Sequence, residues 1–170
     1  MVEKSYFVSA NVVARKEARF FNFIIDQIII VFISICISIL LDLVFYIQTD
    51  VEITKPSYIS ENPMITEYLY INLITFIYYF LSEAYTSRTI GKWITGNLVV
   101  NNRGEKPTYF QIIKRSLLRL IPFEYLSFLG HRARGWHDQY SDTYVVYKKK
   151  LEAEKSTFED LESLGLQSDI

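Results

Sequence analysis

Two long apolar runs separated by a polar stretch set the pattern of the chain. Phe20 to Leu41 holds 22 residues. As a helix rising about 1.5 Å per residue it covers roughly 33 Å, enough for a hydrocarbon layer of about 30 Å. The second run, EYLYINLITFIYYFLSEAY from Glu67 to Tyr85, is nearly as long and carries tyrosines at both ends, where amphipathic rings favour the headgroup layer. The pattern predicts two spanning helices, over about 20–46 and 67–86. The first run is too long, begins too late and lacks the small-x-small site of a cleaved signal peptide.

Beyond Thr86 the period changes. In SRTIGKWITGNLVVNNRGEKPT, Leu98 to Asn101 reads as a short strand running into a turn at Asn101 to Gly104. TYVVY at Thr143 to Tyr147 is its natural partner, since neither strand is stable alone. Between them Thr108 and Gln111 form a capping box. It opens a third helix over about 108–130 that Pro122 stops or kinks. That segment is short, contains Arg119, Pro122 and Glu124, and is followed by His131, Arg132, Arg134 and Lys148 to Lys150. An interfacial or re-entrant helix fits this better than a third crossing, which is the alternative.

The expected fold is therefore an all-α membrane protein: a hairpin of two transmembrane helices, a third short helix and a small cytoplasmic β-pairing of about 98–101 with 143–147. Three parts follow, namely an N-terminal cytoplasmic segment 1–19, a membrane domain 20–147, and a basic-then-acidic tail 148–170. In the tail, Ser156 and Glu159 are a candidate capping box ahead of Phe158, Leu161 and Leu164. Such a helix could dock a partner; a solvated tail is the alternative.

Composition agrees, with 50% hydrophobic, 16% aromatic and only 22% charged residues. The net charge of -1 hides an asymmetry. Lys4, Arg15, Lys16 and Arg19 precede the first run, Lys55 alone lies between the runs, and the remaining Lys and Arg follow the second. By the positive-inside bias, the N-terminus and everything from Thr86 onward face the cytoplasm. The lone cysteine, Cys36, excludes a disulfide framework and a cysteine metal site.

Candidate chemistry sits on the helices. Arg19, Asn22 and Asp26 share one face, and Asn72, Thr75, Tyr79, Glu83 and Thr86 follow helical spacing on the second run. Polar stripes on spanning helices face protein or water. In an antiparallel hairpin Asp26 and Glu83 come level with Arg19 and Arg88, giving an expected inner-leaflet cluster of Arg19, Asn22, Asp26, Glu83 and Arg88. Paired to an arginine, Asp26 locks helices together; as an exchanging carboxylate it would couple a proton to a cation. Lys114, Arg115 and Arg119 are expected to contact anionic headgroups. TIGKWITG lacks the residues of a phosphate loop, and His131 with His137 makes a poor metal pair. No catalytic residue, metal, cofactor or nucleic-acid surface is expected.

These pieces, RFFNFIID, RTIGKWITGNLVVNNRGEKPTYFQIIKRSLLR and WHDQYSDTYVV in this order, resemble the RDD family of small bacterial membrane proteins over roughly Ala14 to Val146. The resemblance implies an inner-membrane protein with Arg19, Asp26 and Asp138 as its signature, and maps the family's glycine-lysine segment onto Gly91, Lys92 and Gly96, followed by Val99 and Val100. Some members are assigned cation/proton antiport, and most have no assigned role. The chain departs from the family at IPFE, Ile121 to Glu124, where the third apolar region is short. A path for a solute cannot be enclosed by so few helices, so an antiporter would need a homo-oligomer; the other reading is a membrane accessory or scaffold protein, and self-association is expected under either.

Overall fold

The computed structural model describes residues 6–49, 63–122, 124, 127 and 135–163. Helix α1 (Lys16–Thr49) and helix α2 (Pro63–Thr86) form the long hairpin. Both begin earlier than the apolar runs. Lys16, Glu17 and Ala18 are good helix formers that extend α1 below its apolar part, and Pro63 suits a first helical position, where its missing N–H costs nothing. The two helices pack through Ile30, Ile74 and Tyr79, with Tyr70 and Tyr78 alongside. The Tyr70 hydroxyl donates to Ser34 O at 3.0 Å. Asn72 and Thr75 donate back to carbonyls four residues earlier in their own helix, so this half of the α2 polar stripe is satisfied locally.

Ser87 (φ 56°) ends α2 and turns the chain into α3 (Ile90–Ile94), capped at its start by Thr89. The two motif glycines then do different jobs. Gly96, just past α3, has φ +69° and open space where a Cβ would sit, so it serves as a left-handed helix cap. Gly91 permits contact. A Cβ there would lie 2.5 Å from the backbone oxygen of Asn22 and 3.0 Å from Asp26 Oδ1, so α3 sits on the lower part of α1 only because that side chain is missing.

Strands β1 (Asn97–Asn101) and β2 (Thr143–Tyr147) pair as the sequence pattern predicts, and do so antiparallel with Val99 opposite Val145. A two-stranded sheet is marginal alone. Here the N-terminal segment lies along β2 as a partial third strand, with Ala14 N bonded to Val145 O at 2.8 Å and Tyr147 N to Val12 O at 2.9 Å. Helix α6 (Lys148–Ser163) closes the other side. Val12, Val100, Val146 and Leu151 form the small core, and Tyr6 and Ser9 both donate to the Glu154 carboxylate. The expected helix start at Ser156 is corrected by this packing. Ser156 lies inside α6, because buried Leu151 and the half-buried Glu154, held by Tyr6 and Ser9, anchor the helix earlier.

Helix α4 (Tyr109–Leu118) opens on the expected capping box, with Gln111 N bonded to Thr108 Oγ1 at 3.3 Å and Thr108 N to Gln111 Oε1 at 3.0 Å. It ends at Leu118 rather than near 130, and Leu120 and Ile121 fold back in tight turns onto Leu117 and Leu118 before Pro122. Proline disfavours helical geometry in the residue before it, and its ring blocks the next helical bond. The rest of the expected 108–130 helix lies mostly outside the described residues, as do His131 and the polar stretch 50–62. Helix α5 (Trp136–Tyr140) leads into β2.

The Gly91 contact is directly testable. Gly91→Ala should lower stability by roughly 1–3 kcal/mol through overpacking, read as a depressed thermal midpoint in detergent. Gly96→Asn should be nearly silent, because asparagine tolerates the left-handed region. Equal effects at the two positions would disprove the distinction.

Candidate functional site

Helix α1 supplies the first wall of the site. Arg19, Asn22 and Asp26, three and four residues apart, are all nearly inaccessible, at 4%, 3% and 1% exposed. The face predicted from their spacing is therefore real and points into protein. Asp26 accepts three hydrogen bonds, from the Tyr78 hydroxyl (2.9 Å), the Thr89 hydroxyl (2.6 Å) and Gly91 N (2.9 Å). Asn22, oriented with its amide nitrogen toward Gly91 O (3.0 Å) and its oxygen toward Asn97 Nδ2 (2.8 Å), ties α1 to both α3 and the start of β1.

The second wall is a relay of charges. Glu83 on α2 accepts from Lys92 Nζ at 2.8 Å, Arg115 Nε at 2.7 Å and Arg119 Nη2 at 3.1 Å. Arg115 also bonds Asp138 and, at 2.7 Å, the Thr143 hydroxyl. Asp138 in turn pairs with Arg19. Beyond it His137 places Nδ1 at 2.6 Å from Glu124 Oε1 and Nε2 at 3.3 Å from Asp138 Oδ1. The signature residues Arg19 and Asp138, far apart in sequence, thus form an ion pair. Asp26 sits beside that pair within the same site, held by the three donors above.

Several expectations are corrected here. Arg115 and Arg119 do not face headgroups: Arg115 is fully buried, and the Arg119 side chain is 10% exposed and lies over the Tyr79 ring at 3.8 Å. Glu83, buried and acidic, draws both guanidiniums inward. Lys114 alone of the three is exposed, stacked on Phe110 at 4.5 Å. Arg88 is not part of the cluster and lies 5.8 Å from the centre of the Trp93 ring. Thr86, at the end of the α2 stripe, is exposed and bonds Ser82 O and Arg88 O. The inward turn of α4 had a signal. Ile112, Arg115, Ser116 and Arg119 share helical spacing, so a face that buries Ile112 also buries Arg115. Lys92, Glu124 and His137 join the site through tertiary contacts.

Burial shifts the titrating groups outside the long helices. Lys92 is pulled down to about 8, by desolvation first and then by Arg119 and Arg115, against the opposing pull of Glu83. Arg115 falls to about 10, for burial first, with Glu83 opposing and Arg119 adding to the fall. His137 is held well below its ordinary range by burial, with Arg119, Arg115, Arg19 and Lys92 acting in the same sense. It is therefore neutral at physiological pH. Among the described residues no group of His, Cys, Asp and Glu is arranged to hold a metal ion.

Removing one partner from a buried pair strands the other. Arg115→Met should therefore cost about 3–5 kcal/mol, whereas Lys114→Met one residue away should be nearly neutral by thermal unfolding. Because the folded state keeps His137 neutral, the unfolded chain takes up the proton first. Stability should decline as pH falls from about 6.5 toward the depressed folded value. His137→Gln should flatten that decline; an unchanged acid limb would show that His137 takes up its proton equally in the folded and unfolded chain.

Neither curated proteins nor solved structures give a match to this chain. The profile of the RDD family matches residues 13–142, a span that contains Arg19, Asp26, the Gly91–Lys92 segment, Arg115 and Asp138. The three residues singled out by resemblance are now joined to one buried site, and the chain belongs to the RDD family.

Proposed function

We propose that this chain is a bacterial inner-membrane protein that crosses the bilayer twice, through α1 and α2, and acts as a membrane accessory or scaffold protein. The observation that carries the membrane reading is an inversion of burial. The most apolar windows of Lys16–Val44 and Met64–Thr86, with mean hydropathy 2.7 and 1.3, are only 17% and 11% buried within the protein. The core helix of a soluble protein would be mostly covered. Here Ile28, Phe32, Ile39 and Leu69 stand outward, each more than half exposed, and lipid is the solvent that suits them.

Helix α4 repeats the inversion at smaller scale. Tyr109, Phe110, Ile113 and Leu117 face out while Arg115 faces in. Its 10 residues cover about 15 Å, half a hydrocarbon layer. With Ile90, Trp93 and Ile94 of α3 also outward, these short helices suit the inner interface of the bilayer. The N-terminal segment, the sheet and α6 then lie on the cytoplasmic side, in keeping with the distribution of Lys and Arg.

Charge cancellation favours a scaffold over a carrier. Arg19, Lys92, Arg115 and Arg119 stand beside Asp26, Glu83, Glu124 and Asp138, so cations and carboxylates match in number. Each carboxylate is fixed by short contacts. Such an arrangement joins the hairpin to the sheet module and holds α6 out for a partner; self-association of the hairpins would cover more of the apolar surface.

A reporter attached after Ile170 should be cytoplasmic; a periplasmic signal would require a third crossing and overturn this topology. Liposomes holding the protein should show no proton movement on adding sodium, potassium or lithium. A cation-triggered flux abolished by Asp26→Asn would instead establish the other reading, a homo-oligomeric cation/proton antiporter with Asp26 as the exchanging carboxylate.

A further inference from the structure

A cavity of about 60 Å³ lies between α1, α2 and α4, within the charge network. It is lined by Arg19, Lys92, Arg115 and Arg119, and by the carboxylates of Asp26 and Glu124. Those two carboxylates are already engaged. Asp26 is bonded by Tyr78, Thr89 and Gly91. Glu124 Oε1 is bonded by His137 Nδ1, His137 N and Ser127 Oγ. Glu83 and Asp138, which balance the arginines, are not part of the lining. The wall that a guest would meet is therefore richer in cations than the network as a whole.

Hydrogen bonding points the same way. Arg115, wholly buried, uses Nε on Glu83 and Nη1 on Asp138 and Thr143, yet its buried Nη2 has no acceptor. Arg119, nine-tenths buried, donates Nη2 to Glu83 and leaves a buried Nε without one. Buried guanidinium donors without acceptors are costly. Two such nitrogens, one on each of two arginines four residues apart that both line one cavity, leave one donor apiece for the oxygens of an oxyanion. Chloride would satisfy the charge but offers a single acceptor to donors on two different side chains.

We propose that this cavity binds a phosphate-type oxyanion through Arg115 and Arg119, with Lys92 completing the positive wall. Its level in the fold gives that group two sources. Beside the first turns of α1 and the last turns of α2, it lies where the phosphate of an anionic phospholipid would sit in the inner leaflet; free phosphate from the cytoplasm has the same chemistry. The lipid source rests on the membrane reading above, and the free-phosphate source does not. Burial first, and then Arg119 and Arg115, lowers the proton affinity of Lys92 to about 8, and a bound oxyanion would raise it.

The test uses the full chain, first in neutral detergent with inorganic phosphate, then in vesicles of phosphatidylcholine with and without phosphatidylglycerol. The readouts are the thermal midpoint and the rate at which an amine reagent labels Lys92. Bound oxyanion should raise the midpoint and slow labelling several-fold. Arg119→Gln should abolish both responses, and exposed Lys114→Gln should keep them. If Arg119→Gln does not fold, Arg119→Lys, which keeps the charge and loses the fork, should weaken them. A response to phosphatidylglycerol but not phosphate identifies a headgroup site, and a response to phosphate in detergent identifies a free-anion site. No response to either, or an equal loss in Lys114→Gln, overturns the proposal. The reporter after Ile170 tests the membrane topology separately, and the phosphate response in detergent stands or falls without it.

Discussion

Arg115 is the constraint around which the rest of this protein is arranged. A guanidinium removed wholly from water cannot shed its charge at physiological pH, so the fold must bring carboxylates to it. Glu83 comes from the end of α2 and Asp138 from α5, and Thr143 adds a hydroxyl from the first residue of β2. One side chain thereby joins the hairpin, the short helices and the sheet. The remaining contacts follow as consequences: Asp138 recruits Arg19 from α1, and Glu83 recruits Lys92 and Arg119.

Such a network adds little net stability over a well-packed apolar core, since desolvation offsets much of the Coulomb gain. What it supplies is uniqueness. Apolar helices slide and rotate against one another at small cost, whereas an arginine between two carboxylates has one satisfactory position. Around it, Gly91 lets α3 approach α1 closely enough for Asp26 to reach Gly91 N, and Asn22 bonds the backbone at the same crossing. The logic of the site is thus internal to this chain: a small residue permits approach, and polar residues fix its register.

The distribution of surface follows from the same inward pull. With Arg115 and Arg119 turned into the protein, α4 has its aromatic and aliphatic side chains left over for the outside. An amphipathic helix packed in water does the reverse. The inversion matches that of α1 and α2 and continues their apolar surface onto the short helices, while polar α6 and the N-terminal segment gather around the sheet.

Local pattern determined a good part of this. Length and hydropathy defined the two long helices, period-two runs with turn residues defined β1 and β2 and their pairing, and Thr108 with Gln111 defined the start of α4, because each depends on neighbours within a few residues. Helical spacing likewise placed Arg19, Asn22 and Asp26 on one buried face, and resemblance singled out Asp138. Partnership was beyond reach. Arg19 is joined to Asp138, 119 positions away, Arg88 stays outside while Arg115 goes in, and Ser156 falls in mid-helix because Glu154 is held by Tyr6 and Ser9 near the other end of the chain. A sequence states which residues carry charge and which face of a helix they share; only the tertiary structure decides which charges lose water together, and buried charges choose partners by that shared desolvation.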